Sequence, residues 1–168
     1  MKSFIYDTSV LSALLDHEHP KHEKTVREIE DLPDDSKYYV SSVSLAELAY
    51  GAEMAQSSPE RMNALSQMLS AAMNLDFLGI GPGTSLAYAN LKSNVALLYM
   101  PKVTRQERRR IGRLEDWPDN FRGKTLQVDE NDLWLCAQSK ERSVTLLTSD
   151  KRMMRIKNAD DEVSLKII

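Results

Sequence analysis

"FIYDTSVLSALL", residues 4–15, holds the transition on which the fold turns. Three apolar β-formers, Phe4, Ile5 and Tyr6, meet an acid, Asp7, and two hydroxyls, Thr8 and Ser9. After them Val10, Leu11 and Leu14 fall at helical spacing. The apolar period changes from strand to helix across Asp7, so the carboxylate stands at the carboxyl end of a short buried strand. The same hand-over recurs along the chain. "KYYVSS" (37–42) leads into "SLAELAYGAEMA" (44–55), and "FLGIGPG" (77–83) into "TSLAYANLKSNVALLY" (84–99). "VTLLTSD" (144–150) closes on a second strand-end acid, Asp150, and "VSLKII" (163–168) reads as a terminal strand.

Between these lie helical patterns. "HPKHEKTVREIEDL" predicts a charged surface helix starting at Pro20, and Ser58-Pro59-Glu60 opens a Met- and Leu-rich helix. "DENDLWLCAQSKERS" (129–143) predicts a helix with a polar start. Strands that alternate with helices pair in parallel and need helices on both faces, an α/β sandwich.

At 168 residues the chain is long enough for one domain with a real hydrophobic core, and 42% hydrophobic with 28% charged residues is the balance of a soluble globular protein. A single cysteine, Cys136, excludes an internal disulfide and any multi-cysteine zinc or iron–sulfur site. No uninterrupted apolar run approaches the ~18 residues of a membrane span, and Asp7 breaks the N-terminus before a signal-peptide core forms. A cytoplasmic location without membrane attachment is the expectation.

The formal net charge of −3 conceals a bias. Residues 99–125 carry eight basic and four acidic side chains, so this stretch is cationic while the remainder is more acidic than the mean suggests. Gly112, Pro118 and Gly123 limit any helix there to a few turns and favour a loop. Arg105, Arg108, Arg109 and Arg110 are its candidate RNA contacts, since guanidinium groups at helical spacing pair with phosphates.

Four acids stand at strand–helix joints: Asp7, Glu47, Asp132 and Asp150. In open parallel sheets, sites collect beyond the carboxyl ends of strands, where Asp7 and Asp150 emerge. Glu47 and Asp132 are each read into the first turn of a helix, where the dipole favours negative charge. Carboxylates gathered in this way repel by roughly 4 kcal/mol per pair at ~4 Å and an effective dielectric of ~20, so the group calls for cations. Oxygen-only donors select Mg²⁺, with Mn²⁺ as the substitute, and such ions serve phosphodiester hydrolysis. Thr8, Ser9, Thr148 and Ser149 flank the acids. Taken singly, each acid is equally well a cap or a surface residue, and Asp129 and Glu130 compete with Asp132 for the N-cap.

With these residues in view the chain resembles the PIN-domain family, and within it the VapC-type toxins of toxin–antitoxin pairs. "YDTSVLSALL", "SSVSLAELAYGA" and "ENDLWLCAQSKERSVTLLTSDKRM" carry the likeness. The resemblance implies a three-layer α/β/α sandwich around a mostly parallel sheet. It implies Asp7, Glu47, Asp132 and Asp150 as metal ligands, with Thr8 and Thr148 in support. The implied activity is Mg²⁺-dependent endoribonuclease cleavage of RNA, and the implied partners are a cognate antitoxin and a second copy of the chain in a homodimer. The chain departs from the pattern in the roughly thirty residues before "ENDLW", which make the segment at about 99–125 a basic insertion in one domain spanning 1–168.

Two rivals stay within the family: a catalytically silent RNA- or partner-binding module, and a structure-specific DNA nuclease. A phosphatase that starts from strand and Asp needs a second acid two residues on, where Ser9 stands. His17, His19 and His22 read as solvated, Cys136 and Trp134 as core. Trp117, beside Pro118, is expected at an interface or against a base.

Overall fold

The computed structural model describes residues 2–55 and 58–168. The chain divides into two compact units, the first made of Met1–Gly79, Val144–Asp150 and Lys166–Ile168, the second of Ile80–Ser143 and Lys151–Leu165. The first unit opens with β1 (Ser3–Tyr6), α1 (Thr8–Leu15), α2 (His22–Glu30) and β2 (Lys37–Ser41). It continues with α3 (Ser42–Met54), α4 (Pro59–Ala72) and β3 (Phe77–Leu78). The second holds α5 (Pro82–Tyr99), α6 (Arg105–Ile111), β4 (Pro118–Asp119), β5 (Lys124–Thr125) and α7 (Glu130–Arg142). Then β6 (Thr145–Thr148) rejoins the first unit, α8 (Met154–Ala159) belongs to the second, and β7 (Leu165–Ile167) ends the chain.

Five strands form one sheet in the order β3-β2-β1-β6-β7. β1 lies at its centre, parallel to β2 on one side and to β6 on the other, and β2 is parallel to β3. Phe4, Ile5 and Tyr6 are all buried, as a central parallel strand requires. Tyr38 stacks on both Phe4 and Tyr6, with centroids 5.7 and 5.6 Å apart, and this contact helps fix the β1–β2 register that sets Phe4 opposite Tyr38. Val10 and Leu11 of α1, Leu48 of α3 and Met68 of α4 close the core over Phe4, Tyr6, Val40 and Leu147. Each such side chain contributes about 1.5–3 kcal/mol by leaving water.

Sequence chemistry explains the abrupt hand-over from strand to helix. Ser41 ends β2 and caps α3 by accepting from the Val43 amide, so no loop intervenes. Pro59 opens α4. α2 begins at His22 and not at Pro20, because a turn fills residues 17–21.

In the second unit α5 packs along α7 and against α8. Leu91, Val95 and Tyr99 of α5 are buried, as are Leu133 and Cys136 of α7 and Ile156 of α8. The basic stretch is not a loose loop. Thr104 and Glu107 form a reciprocal capping box that starts α6, and Gly112 at φ +83° stops it. A short antiparallel β4–β5 hairpin follows, its turn closed by Gly123 at φ +63°. Leu114, Trp117, Leu126 and Val128 are buried, so apolar anchors hold a segment whose arginines dominate the sequence reading. Trp117 is thus more enclosed than expected, and the half-buried Trp134 stacks on Tyr88 at 3.9 Å. Helix α8 had no counterpart in the sequence reading. No helix among the described residues is long and apolar enough to cross a membrane.

Candidate functional site

Parallel pairing decides where the acids of the first unit go. Tyr6 lies opposite both Val40 and Leu147, so β1, β2 and β6 end at one edge of the sheet. The Asp7 amide donates to the Leu147 carbonyl at 2.9 Å, which carries the ladder one residue further and brings Asp7 beside Thr148. β1 has β2 on one side and β6 on the other, a point where successive connections leave in opposite directions and a crevice opens.

Asp7 occupies the N-cap position of α1, yet its side chain makes no capping hydrogen bond. Its Oδ2 instead accepts from the Thr148 hydroxyl at 2.5 Å and from the Ser9 hydroxyl at 2.9 Å. This weakens the reading of Asp7 as an ordinary cap. Asp7 is only 7% exposed and Thr148 is fully enclosed. Burial pushes the Asp7 carboxyl above its usual range, and the two hydroxyl donors oppose that only in part. No basic side chain among the described residues pairs with it: the carboxylate is buried without a counter-charge.

Hydroxyls also order the other residues of this edge. Thr8 donates to the carboxylate of Glu47, reaching from the start of α1 to α3. Glu47 lies in the second turn of α3, one turn later than the sequence suggested, because the helix starts at Ser42. The Asp150 amide donates to Thr148 Oγ1 at 3.0 Å, so the hydroxyl that serves Asp7 also fixes the backbone at Asp150. Ser149 donates to Ser9 Oγ at 3.1 Å, and Ser44 donates to the Tyr6 carbonyl, seating α3 against the end of β1. Asp7, Ser9, Thr148 and the Asp150 backbone therefore share one hydrogen-bonded assembly, and Thr8, next in sequence to Asp7, holds Glu47 in a pair beside it.

Asp132 belongs to the second unit, in the first turn of α7. Asp129 is the N-cap, and the two form a capping box: Asp129 Oδ1 takes the Asp132 amide at 2.9 Å and Asp132 Oδ2 takes the Asp129 amide at 3.0 Å. Glu130 has a different task, an ion pair with Lys92 at 2.5 Å and a hydrogen bond from Tyr88. Arg105, Arg109 and Arg110 of α6 are exposed, while Arg108 is half-buried and donates to the Val103 carbonyl. His17 and His22 share a hydrogen bond at 3.2 Å.

Among the described residues, no three His, Cys, Asp or Glu side chains stand close enough to cage a metal ion. The donor set nonetheless fits a hard divalent cation in kind. It offers carboxylate and hydroxyl oxygens only, and a buried carboxylate that lacks positive charge. What the arrangement does in itself is hold Asp7 fixed and dry, where burial penalises the charged carboxylate and a cation would relieve that penalty.

The sequence profile of the PIN domain family matches residues 4–159. No curated protein is similar enough to this chain to add to that. Among solved structures, the chain is similar to VapBC2 from Rickettsia felis bound to a DNA fragment from their promoter, with a TM-score of 0.65 at 17% identity over 98% of each chain. It is also similar to FitAcB from Neisseria gonorrhoeae, at 0.63 and 21% over 96% of this chain and 95% of that one. VapBC-5 from Mycobacterium tuberculosis, a member of the VapBC family of toxin-antitoxin systems, aligns at 0.60 and 18% over 100% and 98%. At these identities the likeness is one of fold, and it agrees with the α/β sandwich and mostly parallel sheet read from the sequence. With a profile match that takes in Phe4–Tyr6 of β1, Asp7 and all but the first three and last nine residues, the chain belongs to the PIN domain family.

Proposed function

We infer that the chain is a metal-dependent endoribonuclease, the toxin half of a toxin–antitoxin pair. The observation that carries this is Asp7: a buried carboxylate at the crevice of a parallel sheet, held by two hydroxyls and paired with no cationic side chain among the described residues. Asp7, Glu47, Asp132 and Asp150 would hold Mg²⁺, with Mn²⁺ as the substitute. When bound, such an ion makes a water acidic enough to attack a phosphodiester and neutralises charge on the departing oxygen. The chain's own residues prepare for this. Thr148 and Ser9 aim the Asp7 carboxylate, Thr8 holds Glu47, and Thr148 also pins the Asp150 backbone. Their donors are fixed by the fold before any ligand arrives, so little reorganisation remains at the moment of reaction.

The family match runs through both compact units, which supports reading residues 1–168 as one PIN domain that carries a basic insertion at about 99–125. The fold neighbours include toxin–antitoxin assemblies, which supports a small cognate antitoxin as partner; a homodimer working in the cytoplasm is what the family resemblance adds. A silent RNA- or partner-binding module is the second reading. It draws on the lack of three acids close enough to form a cage among the described residues.

The deciding experiment incubates the purified chain with RNA and with DNA, in Mg²⁺ and in EDTA, beside Asp7→Asn. The expected result is RNA cleavage in Mg²⁺ that EDTA and Asp7→Asn both abolish while circular dichroism stays unchanged. Full activity of Asp7→Asn refutes the assignment. A folded chain that binds Mg²⁺ and RNA without turnover establishes the silent module, and preference for DNA establishes the third reading.

A further inference from the structure

The second unit contains a cavity of about 530 Å³, of the size that holds a small ligand, lined by Tyr88, Lys92 and Leu97 of α5, Arg105 and Arg108 of α6, and Trp117. Its chemistry is uneven in a useful way. The lining includes three cationic side chains and no acidic one, together with two aromatic rings. Tyr88 and Lys92 are one helical turn apart, and so are Arg105 and Arg108, so each helix presents a pair to the same space. Arg109 and Arg110, next in sequence and equally basic, do not line it.

Three details say what it takes. Lys92 is already paired with Glu130 at 2.5 Å and with the Tyr88 hydroxyl at 3.0 Å, so the guanidinium groups supply the net positive charge at the mouth. Leu97 is 64% exposed, an apolar surface that a ligand would cover. Trp117 is only 6% exposed, and its indole N–H has no hydrogen-bond partner among the described residues, a buried donor left unmet. An anion alone would satisfy the arginines and leave Leu97 wet. A flat heteroaromatic ring with acceptors, joined to a phosphate, meets all three demands.

We propose that this cavity is a nucleotide subsite for single-stranded RNA, in which the base lies against Trp117 and Leu97 and its phosphate is held by Arg105 and Arg108. A guanidinium fork matches two phosphate oxygens, and apolar contact with Leu97 is indifferent to the identity of the base, so the subsite positions a strand and does not read its sequence. A carboxylate from an acidic peptide would fill much less of the space. The inference rests on the ribonuclease reading only for the origin of the nucleotide; the cavity and its lining stand without it.

The test uses the full chain in EDTA, so that RNA stays intact. Tryptophan fluorescence is followed on titration with adenosine 5′-monophosphate, adenosine, inorganic phosphate, a pentaadenylate RNA and tetraglutamate. The expected result is saturable quenching by the monophosphate, at least tenfold tighter than by adenosine or phosphate, and tighter again by the pentanucleotide. Arg105→Glu should lose at least tenfold in affinity, while Arg110→Glu, the same charge change off the cavity, keeps it. Leu97→Asp supplies a second exposed variant that weakens nucleotide binding without disturbing the fold. Equal losses in Arg105→Glu and Arg110→Glu, equal affinity for phosphate alone, no gain from the strand over the monophosphate, or displacement of nucleotide by tetraglutamate would each overturn the proposal. Nucleotide binding that fails while RNA cleavage in Mg²⁺ persists sinks the subsite alone. Saturable binding without cleavage supports the subsite and sinks only the nuclease reading.

Discussion

Thr148 donates its hydroxyl proton to Asp7 across 141 residues of sequence, and the same oxygen accepts the Asp150 amide. One buried hydroxyl thus ties the ends of β1 and β6 and orders two of the four acids. Thr148→Val keeps the volume and removes both bonds. Asp7 is left buried with Ser9 as its remaining hydroxyl donor, so unfolding free energy should fall by about 1–3 kcal/mol. RNA cleavage should drop as well, and Thr148→Ser should restore most of both. Urea denaturation and a cleavage time course check this; an inert Thr148→Val would show the hydroxyl to be incidental.

Asp7 should make the metal-free protein less stable at neutral pH, not more. Burial raises its carboxyl above the ordinary 3.8, so the folded chain binds that proton more tightly than the unfolded chain does. The contribution of this group is most favourable below 3.8, falls as pH rises through the folded value, and stays low beyond it. Asp7→Asn should therefore melt higher than the wild type at pH 7 in EDTA, by ~2–4 °C for each kcal/mol relieved. The gap should close towards pH 4. Millimolar Mg²⁺ should raise the melting temperature of the wild type and leave that of Asp7→Asn unmoved. Thermal melts across pH 4–8 decide it.

How much of this was legible beforehand differs by element, for physical reasons. β1, α1 and β6 were readable because a buried central strand is a short unbroken apolar run, and the helical period begins at once after Asp7. Thr8 and Thr148 were readable as flanking hydroxyls, but not that one serves Glu47 and the other Asp7 and Asp150, since such pairings are set by strand register. The start of α3 was misjudged because Ser41, Ser42 and Ser44 are all capable caps. Only the structure shows that Ser41 is used, which moves Glu47 into the second turn. α8 is six residues long within a charged stretch, and β4 and β5 are two residues each, too short for any periodic signal. The cavity lined by Tyr88, Lys92, Arg105, Arg108 and Trp117 draws on three segments whose closeness no local pattern records.

Lys140 and Asp160 give the second unit a defined acid limit. Lys140 Nζ lies 2.6 Å from Asp160 Oδ2, which also accepts from Asn94 at 2.9 Å, and the Asp160 side chain is 4% exposed. Burial alone would raise the Asp160 carboxyl. The Lys140 ammonium, the Glu162 amide and Asn94 outweigh it and hold the group below 3.8. The stability this adds is complete above 3.8 and is lost as pH falls through the lower folded value. Lys140→Met should cost about 1–3 kcal/mol at pH 7, and the difference from wild type should shrink below pH 3.8. Denaturant titrations at pH 7 and pH 3 measure it.

Arg155 should govern whether the basic segment stays folded. It is buried in α8, donates to the Leu126 carbonyl, and lies 3.8 Å from Asp119, whose side chain is 1% exposed. Asp119 in turn holds the Phe121 amide at 3.1 Å in the β4–β5 turn. Removing one member of a buried charged pair strands the other, at a cost of about 3–5 kcal/mol. Arg155→Met should therefore leave Asp119 only the more exposed Arg122, whose Nε lies 3.9 Å from the same oxygen, and so loosen the hairpin and expose Trp117. Asp119→Asn should be milder, because its amide oxygen still accepts from Phe121. Limited trypsin digestion reads this directly: the arginines of α6 should be cleaved fast in Arg155→Met and slowly in wild type. Mass spectrometry of the first fragments should place the early cuts between residues 102 and 124. Equal protection in both proteins would mean that the apolar anchors Leu114, Leu126 and Val128 hold the segment without the ion pair.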